Sequence, residues 1–323
     1  MTSKKLPWDE IGQPDSDYNV RYIPDSGINP IAWGKDPAGQ SLFILELKGN
    51  HFVQFQAGYT AVHGIKIDLR QLPNADRQRL VLSLEKSIDQ DIFHSLCLSL
   101  VEHLKPVEDS SVALSVVMNH IKRWKAFLAG RKTSILTPEE VRGLFAELEF
   151  LRVLYREYLS DQEAIRSWYG PEGVHQDFIF NNTAVEVKSI TGRERSSVRI
   201  SSEDQLEAIC DNLFLAIIRL SETAESLGAR SLNEEVDLVV GELSDPEAIE
   251  IYWEKLVAYG YMELREYDNP RFIATSPRPF RVTEDFPRLV RSQIPDGVAR
   301  VHYEIELEKI SNFECERSQI WEE

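Results

Sequence analysis

The 323-residue sequence predicts an α/β (α+β) fold, with a mixed central sheet flanked by helices and a β-rich region before it. Three observations predict this. Between Gly27 and Leu69, short apolar runs such as Ser41 to Leu47 and Gly64 to Leu69 are separated by Gly, Pro and Asp, the pattern of a small antiparallel sheet. After Leu136, stretches with apolar residues at helical spacing alternate with short β-branched runs. The segment from His175 to Lys188 reads as a β-hairpin closing on Asn181-Asn182.

The elements follow in order. Residues from about Ala75 to Leu104 carry apolar positions at helical spacing and are expected to be helical. The polar stretch Lys105 to Ser111 is the expected boundary, dividing a β-rich region, 1–108, from a core, 109–323, with a β-rich C-terminal extension. Val112 to Leu128 reads as another helix. Thr137-Pro138-Glu139-Glu140 opens the next, with a Thr N-cap, proline at the first helical position and two acids in the first turn. On its wheel Leu144, Leu148, Leu151, Leu154 and Tyr155 form one stripe with Glu147 inside it, while Glu149, Arg152 and Arg156 lie on the other side. An unpaired carboxylate on a core face is costly, so Glu147 is expected to meet a cation, a donor or a functional cavity. A helix from Glu203 to Leu220, with Gln205 near its start, is expected after the hairpin.

The hairpin carries the chemistry. With Asn181 and Asn182 as a two-residue turn, Phe180 pairs with Thr183, Ile179 with Ala184 and Phe178 with Val185, so Asp177 falls opposite Glu186. Lys188 shares their face. Two carboxylates facing across a ladder repel unless something positive lies between them, and a divalent cation with a lysine beside it satisfies that need. Magnesium is suited to such a pair, since it takes one or two carboxylates plus phosphate oxygens and water. A competing D-x(n)-E-x-K occurs at Asp36 and Glu46-Leu47-Lys48; there the Pro37-Ala38-Gly39 loop leaves Asp36 in or near the turn, and Glu46 and Lys48 are expected on a solvated strand face.

Charge and composition bound the function. A 42% hydrophobic chain of this length buries a substantial core, and a net charge of -17 argues against a generic nucleic-acid coat. Local basic clusters matter instead: Lys188, Arg193, Arg195 and Arg199 follow the hairpin, and six arginines lie between Arg271 and Arg300. Cys97, Cys210 and Cys315 form no CxxC pair, and no apolar run resembles a signal peptide or a membrane span, so a reducing, cytoplasmic setting is expected. Gly-rich phosphate loops, HExxH and GxSxG motifs are lacking.

Gly143-Leu-Phe-Ala-Glu147, Trp168, Asp177-Phe, Glu186-Val-Lys188 and Ser201-Ser-Glu-Asp-Gln205 together resemble the PD-(D/E)XK nuclease superfamily, in particular a bacterial group assigned to it. The resemblance is most specific from Leu136 to Leu220 and extends to about Lys309. It implies a restriction-endonuclease-like core and a DNA endonuclease dependent on Mg2+, for which Mn2+ substitutes, associated with restriction or phage defence. It implies that Asp177 and Glu186 bind metal, that Lys188 orients and polarises the attacking water, and that Glu147 assists as a further ligand. One departure is visible: Gln176, not proline, precedes Asp177. Gln205 sits where several branches place a glutamine near the phosphate, although Ser202-x-x-Gln205 also fits a capping box. DNA is the expected partner, with further subunits of a restriction system and a homodimer as additional possibilities. The competing function is a catalytically silent subunit of a DNA-processing complex that retains the fold.

Overall fold

The structure is a computed structural model that describes residues 5–73, 76–85, 88–129, 135–192, 197–207, 210–224, 226–298 and 301–321. It divides into two compact units, Met1–Ile135 with Gly260–Arg265, and Leu136–Tyr259 with Glu266–Glu323. Among the described residues no helix is long and apolar enough to cross a membrane.

The first unit is built on an antiparallel sheet of β1 (Asn19–Tyr22), β2 (Ile31–Lys35), β3 (Ser41–Lys48), β4 (Ile65–Gln71) and β5 (Arg77–Leu84), in the order β1-β2-β3-β5-β4. Three helices accompany it: α1 (Phe52–Gly58), α2 (Gln90–Leu104) and α3 (Ser110–Ala129). Trp8, Phe43 and Phe93 anchor its core, where the Trp8 indole donates to the Leu42 carbonyl at 2.9 Å. The helix expected from Ala75 to Leu104 is half strand. Gln78, Leu80 and Leu82 alternate onto one buried face of β5, which pairs with both β3 and β4. Asp89 then starts α2, accepting a hydrogen bond from the Asp91 amide at 2.9 Å. Helix α3 lies beyond the boundary drawn at Lys105–Ser111, yet it packs on α1, α2 and β3 and clusters with the first unit.

Glu46 corrects a second expectation. It is buried, with Tyr22 donating to it at 2.8 Å and Arg79 at 2.9 Å, so in the competing E-x-K the glutamate is paired with Arg79 on a sheet face, while Lys48 is exposed as expected. Asp36 does sit in the turn, where its carboxylate accepts from the Gln40 amide.

The second unit opens with α4 (Pro138–Glu157) and α5 (Asp161–Ser167) and continues with β6 (Phe178–Phe180), β7 (Thr183–Thr191), β8 (Ser197–Ile200) and β9 (Asn212–Glu222). Helices α6 (Leu232–Glu242) and α7 (Pro246–Tyr259) follow, then β10 (Phe272–Ala274), β11 (Arg278–Arg281) and β12 (Tyr303–Glu306). The central sheet runs β10-β9-β7-β6 with β11 also on β9, and β12 pairs with β8 in a separate ribbon. Strands β7 and β9 are parallel and the remaining pairs antiparallel, so the sheet is mixed and the unit is α/β as expected. Helix α4 packs on β7, and the face of α4 carrying Glu149 and Arg152 is covered by Glu235 and Glu242 of α6.

The helix expected from Glu203 to Leu220 is instead a turn at 203–206 followed by β9. Leu213 to Ile218 is an unbroken apolar run buried on both faces of the sheet, which is how a central strand reads. Such a run fits a buried helix as well, and the local sequence does not choose between them.

Candidate active site

Helix α4 delivers Glu147. The Thr137 hydroxyl accepts from the Glu140 amide at 3.2 Å and the Glu140 carboxylate accepts from the Thr137 amide at 2.9 Å, a reciprocal cap that fixes where the helix begins and hence which face points inward. Leu144, Leu148, Leu151 and Leu154 are fully buried on that face, and Glu147 is only 6% exposed. Both of its oxygens have donors: the Trp168 indole at 2.7 Å to Oε2 and the Tyr259 hydroxyl at 3.2 Å to Oε1.

The hairpin delivers the other acids. Phe178 pairs with Val185, Ile179 with Ala184 and Phe180 with Thr183, the register read from sequence, and Asn181 takes the positive φ the turn requires. Asn182 and Asp211 brace the turn by mutual hydrogen bonds. Extended by one residue, this register sets Asp177 across from Glu186. The Asp177 carboxylate accepts from the Val187 amide at 2.8 Å, while its carbonyl accepts from the amides of Tyr169 and Gly170. Gly170 lies against both acids. A Cβ there would stand 2.5 Å from Glu147 Oε2 and 3.2 Å from Asp177 Oδ1, so any larger residue would push the Glu147 carboxylate out of place.

Glu186 is wholly buried, and neither of its oxygens receives an aligned hydrogen bond. Among the described residues its compensation is the Lys188 ammonium, 2.6 Å from Oε1. Asp177 and Lys188 are partly exposed, so the group opens to solvent on their side. Burial and the neighbouring Asp177 charge push the Glu186 carboxyl up to about 8. Burial also raises Asp177, against the pull of Lys188 and the Val187 amide, and together with the Asp177 charge it raises Glu147 well above the carboxylate range. Burial works against the Lys188 charge, but the Glu186 and Asp177 carboxylates outweigh it and raise the lysine.

The set is therefore an acidic pocket with too little positive charge. Among the described residues no three His, Cys, Asp or Glu side chains stand close enough in this arrangement to hold a metal by themselves, while Glu147 lies within electrostatic reach of both Asp177 and Glu186. Glu147 has both oxygens engaged by donors from Trp168 and Tyr259. Asp177 and Glu186 alone match a hard cation that keeps water and phosphate in its remaining positions, and the donor-starved oxygens of Glu186 are what such an ion would satisfy.

Gln205 is not joined to these side chains by any hydrogen bond or ion pair among the described residues; its Oε1 accepts from the Ser201 amide at 2.8 Å, a local turn contact. Its backbone is nevertheless tethered to the site. Gln176, fully buried, donates to the carbonyls of Asp204 at 3.0 Å, Gln205 at 3.2 Å and Glu207 at 3.1 Å. His175 is exposed and lies 3.8 Å from Asp204. Of the first basic cluster, Arg193 and Arg195 fall outside the described residues and Arg199 is exposed on β8. In the second, Arg271, Arg278 and Arg291 pair with Glu234, Glu314 and Glu203, Arg281 donates to Asn212, and Arg288 donates to the Leu206 carbonyl. Those five arginines tie the fold together; Arg300 lies outside the described residues.

A family model described as "Putative PD-(D/E)XK family member, (DUF4420)" matches residues 5–308. The chain belongs to this family. No curated protein and no solved structure matches it. In the PD-(D/E)XK pattern the signature of this chain is Asp177, then Glu186-Val-Lys188, with Gln176 where the name of the motif has proline. Sequence reasoning noted Gln176 only as the departure from proline, and missed Gly170, Lys255 and Tyr259. The last two, with Tyr252, recur at i, i+3 and i+7 on one face of α7, a polar-aromatic stripe that was legible as a face and silent about its target.

Proposed function

We propose that this PD-(D/E)XK family member is a metal-dependent endodeoxyribonuclease that hydrolyses phosphodiester bonds, with Mg2+ as its cofactor and Mn2+ able to replace it. The observation that carries the reading is the buried Glu186 beside Asp177, two carboxylates whose repulsion one lysine only partly relieves. Asp177 and Glu186 would hold the ion. When bound, it would polarise the phosphoryl group and acidify a water.

The side chains supply the rest. In the reaction a water oxygen bonds to phosphorus, the bond from phosphorus to one sugar oxygen breaks, and the departing oxygen takes a proton. Lys188, pinned by Glu186 and open to solvent on its far side, places a positive charge where negative charge accumulates on the phosphoryl oxygens. Glu147 orients the water network. Gln205 takes part through the loop that Gln176 holds in place.

DNA is the substrate we propose, within a restriction or phage-defence system in which partner subunits or a second copy of the chain complete the assembly. The net charge of -17 also favours a second reading, a silent subunit whose acidic surface meets a partner protein. Cleavage of plasmid DNA with and without Mg2+, for wild type, Lys188→Ala and Asp177→Asn, separates the two. The nuclease reading expects Mg2+-dependent nicking that both substitutions abolish. Activity surviving both, or no cleavage and no calorimetric Mg2+ or Mn2+ binding by wild type, overturns it.

A further inference from the structure

A glutamate on an apolar helix face has three side-chain torsions and needs more than one contact to hold its carboxylate plane. Glu147 has two donors, one on each oxygen, and they come from different parts of the chain. The Trp168 indole anchors Oε2, the oxygen beside Gly170 and therefore on the side facing Asp177. With that anchor alone, the carboxylate could still turn about the Oε2 contact. The Tyr259 hydroxyl on Oε1 removes this freedom.

We propose that Tyr259, at the C-terminal end of α7, is a positioning residue that sets the orientation of Glu147 toward Asp177 for DNA cleavage. The inference rests on the nuclease reading above. A second contact of α7 supports it independently. One turn earlier on the same face, Lys255 is only 8% exposed; it donates to the Trp168 carbonyl and pairs with Glu172 at 2.7 Å. The Lys255 ammonium also stands 5.2 Å over the Tyr169 ring. The helix thus grips the 168–172 segment, which carries the other donor to Glu147, with the same face that presents Tyr259. Glu147, Trp168 and Gly170 are fixed relative to one another through α7, and a slip of about 1 Å in such a group costs on the order of a hundredfold in rate.

The test compares wild type, Tyr259→Phe, Glu147→Gln and the double variant in Mg2+-dependent plasmid cleavage, with Lys188→Ala as the inactive reference and thermal melting as the control for folding. Tyr259→Phe keeps the ring and removes one hydroxyl, so its melting temperature should stay within roughly 5 °C of wild type. We expect kcat to fall about tenfold or more with KM for DNA unchanged, and the double variant to cleave no more slowly than Glu147→Gln alone, because the two residues act as one unit. Wild-type kcat in Tyr259→Phe while Lys188→Ala is dead overturns this inference and leaves the nuclease reading standing. Multiplicative losses in the double variant also overturn it, since Tyr259 would then act elsewhere. Wild-type protein that neither cuts DNA nor binds metal overturns both.

Discussion

Lys188 Nζ lies 2.6 Å from Glu186 Oε1, and among the described residues this ammonium is what offsets a carboxylate otherwise buried without an aligned donor. Such an arrangement is costly in the folded chain.

The first prediction concerns pH. Glu186 titrates near 4.5 when unfolded and is raised to about 8 when folded, so the native state holds its proton more tightly. The stability linked to that proton is complete below about pH 4.5 and is lost as pH rises through 8, on the order of a few kcal/mol in metal-free protein. Urea unfolding in a chelator at pH 5 and pH 8 should show wild type losing more than Glu186→Gln. Equal losses would mean that Glu186 ionises freely.

His120 opposes this trend from the first unit. Burial first, then the charges of His103 and Arg123, lower it from 6.5 to about 3. A depressed histidine contributes stability that is present above pH 6.5 and disappears as pH falls toward 3. His120→Gln should therefore flatten acid unfolding between those limits, monitored by far-UV circular dichroism. A variant as acid-labile as wild type would locate the loss in other groups.

Gly170→Ala places a methyl 2.5 Å from Glu147 Oε2 and 3.2 Å from Asp177 Oδ1. Overpacking of this kind costs about 1–3 kcal/mol. Chemical denaturation should register it, and Gly170→Ala in a Glu147→Ala background should lose most of that penalty because the nearer of the two obstructing oxygens is gone. An undiminished penalty there would implicate the backbone instead.

Gln176→Leu keeps the volume and removes the donor to three carbonyls. Leaving buried carbonyls unsatisfied costs about 1–3 kcal/mol. Hydrogen exchange should show loss of amide protection confined to residues 201–207 and the start of β6; protection as in wild type would mean that water replaces the amide.

Much of this was written locally. The alternation of Phe178 to Phe180 and Ala184 to Ile190 around Asn181-Asn182 fixed a register that the structure reproduces pair for pair, because a two-residue turn leaves no freedom in which residues face each other. The Thr137 cap and the leucine stripe placed Glu147 inside for the same reason: helix geometry is set within a few residues. The two wrong helices, over β5 and β9, arose where an apolar run satisfies both periods and the choice depends on which partners flank it. Glu46, expected in solvent, is buried because Arg79 and Tyr22 reach it across the sheet, a fact of strand order and not of its own neighbours. The sequence by itself determined the hairpin, the caps and the acid-rich pair with its lysine. Only the tertiary structure decided that α7 would bring Tyr259 and Lys255 to that group, and that Gln176 would hold the loop of Gln205. Short-range torsions and side-chain period govern the former, whereas the latter require helices and loops distant in sequence to dock, and no local pattern encodes the docking partner.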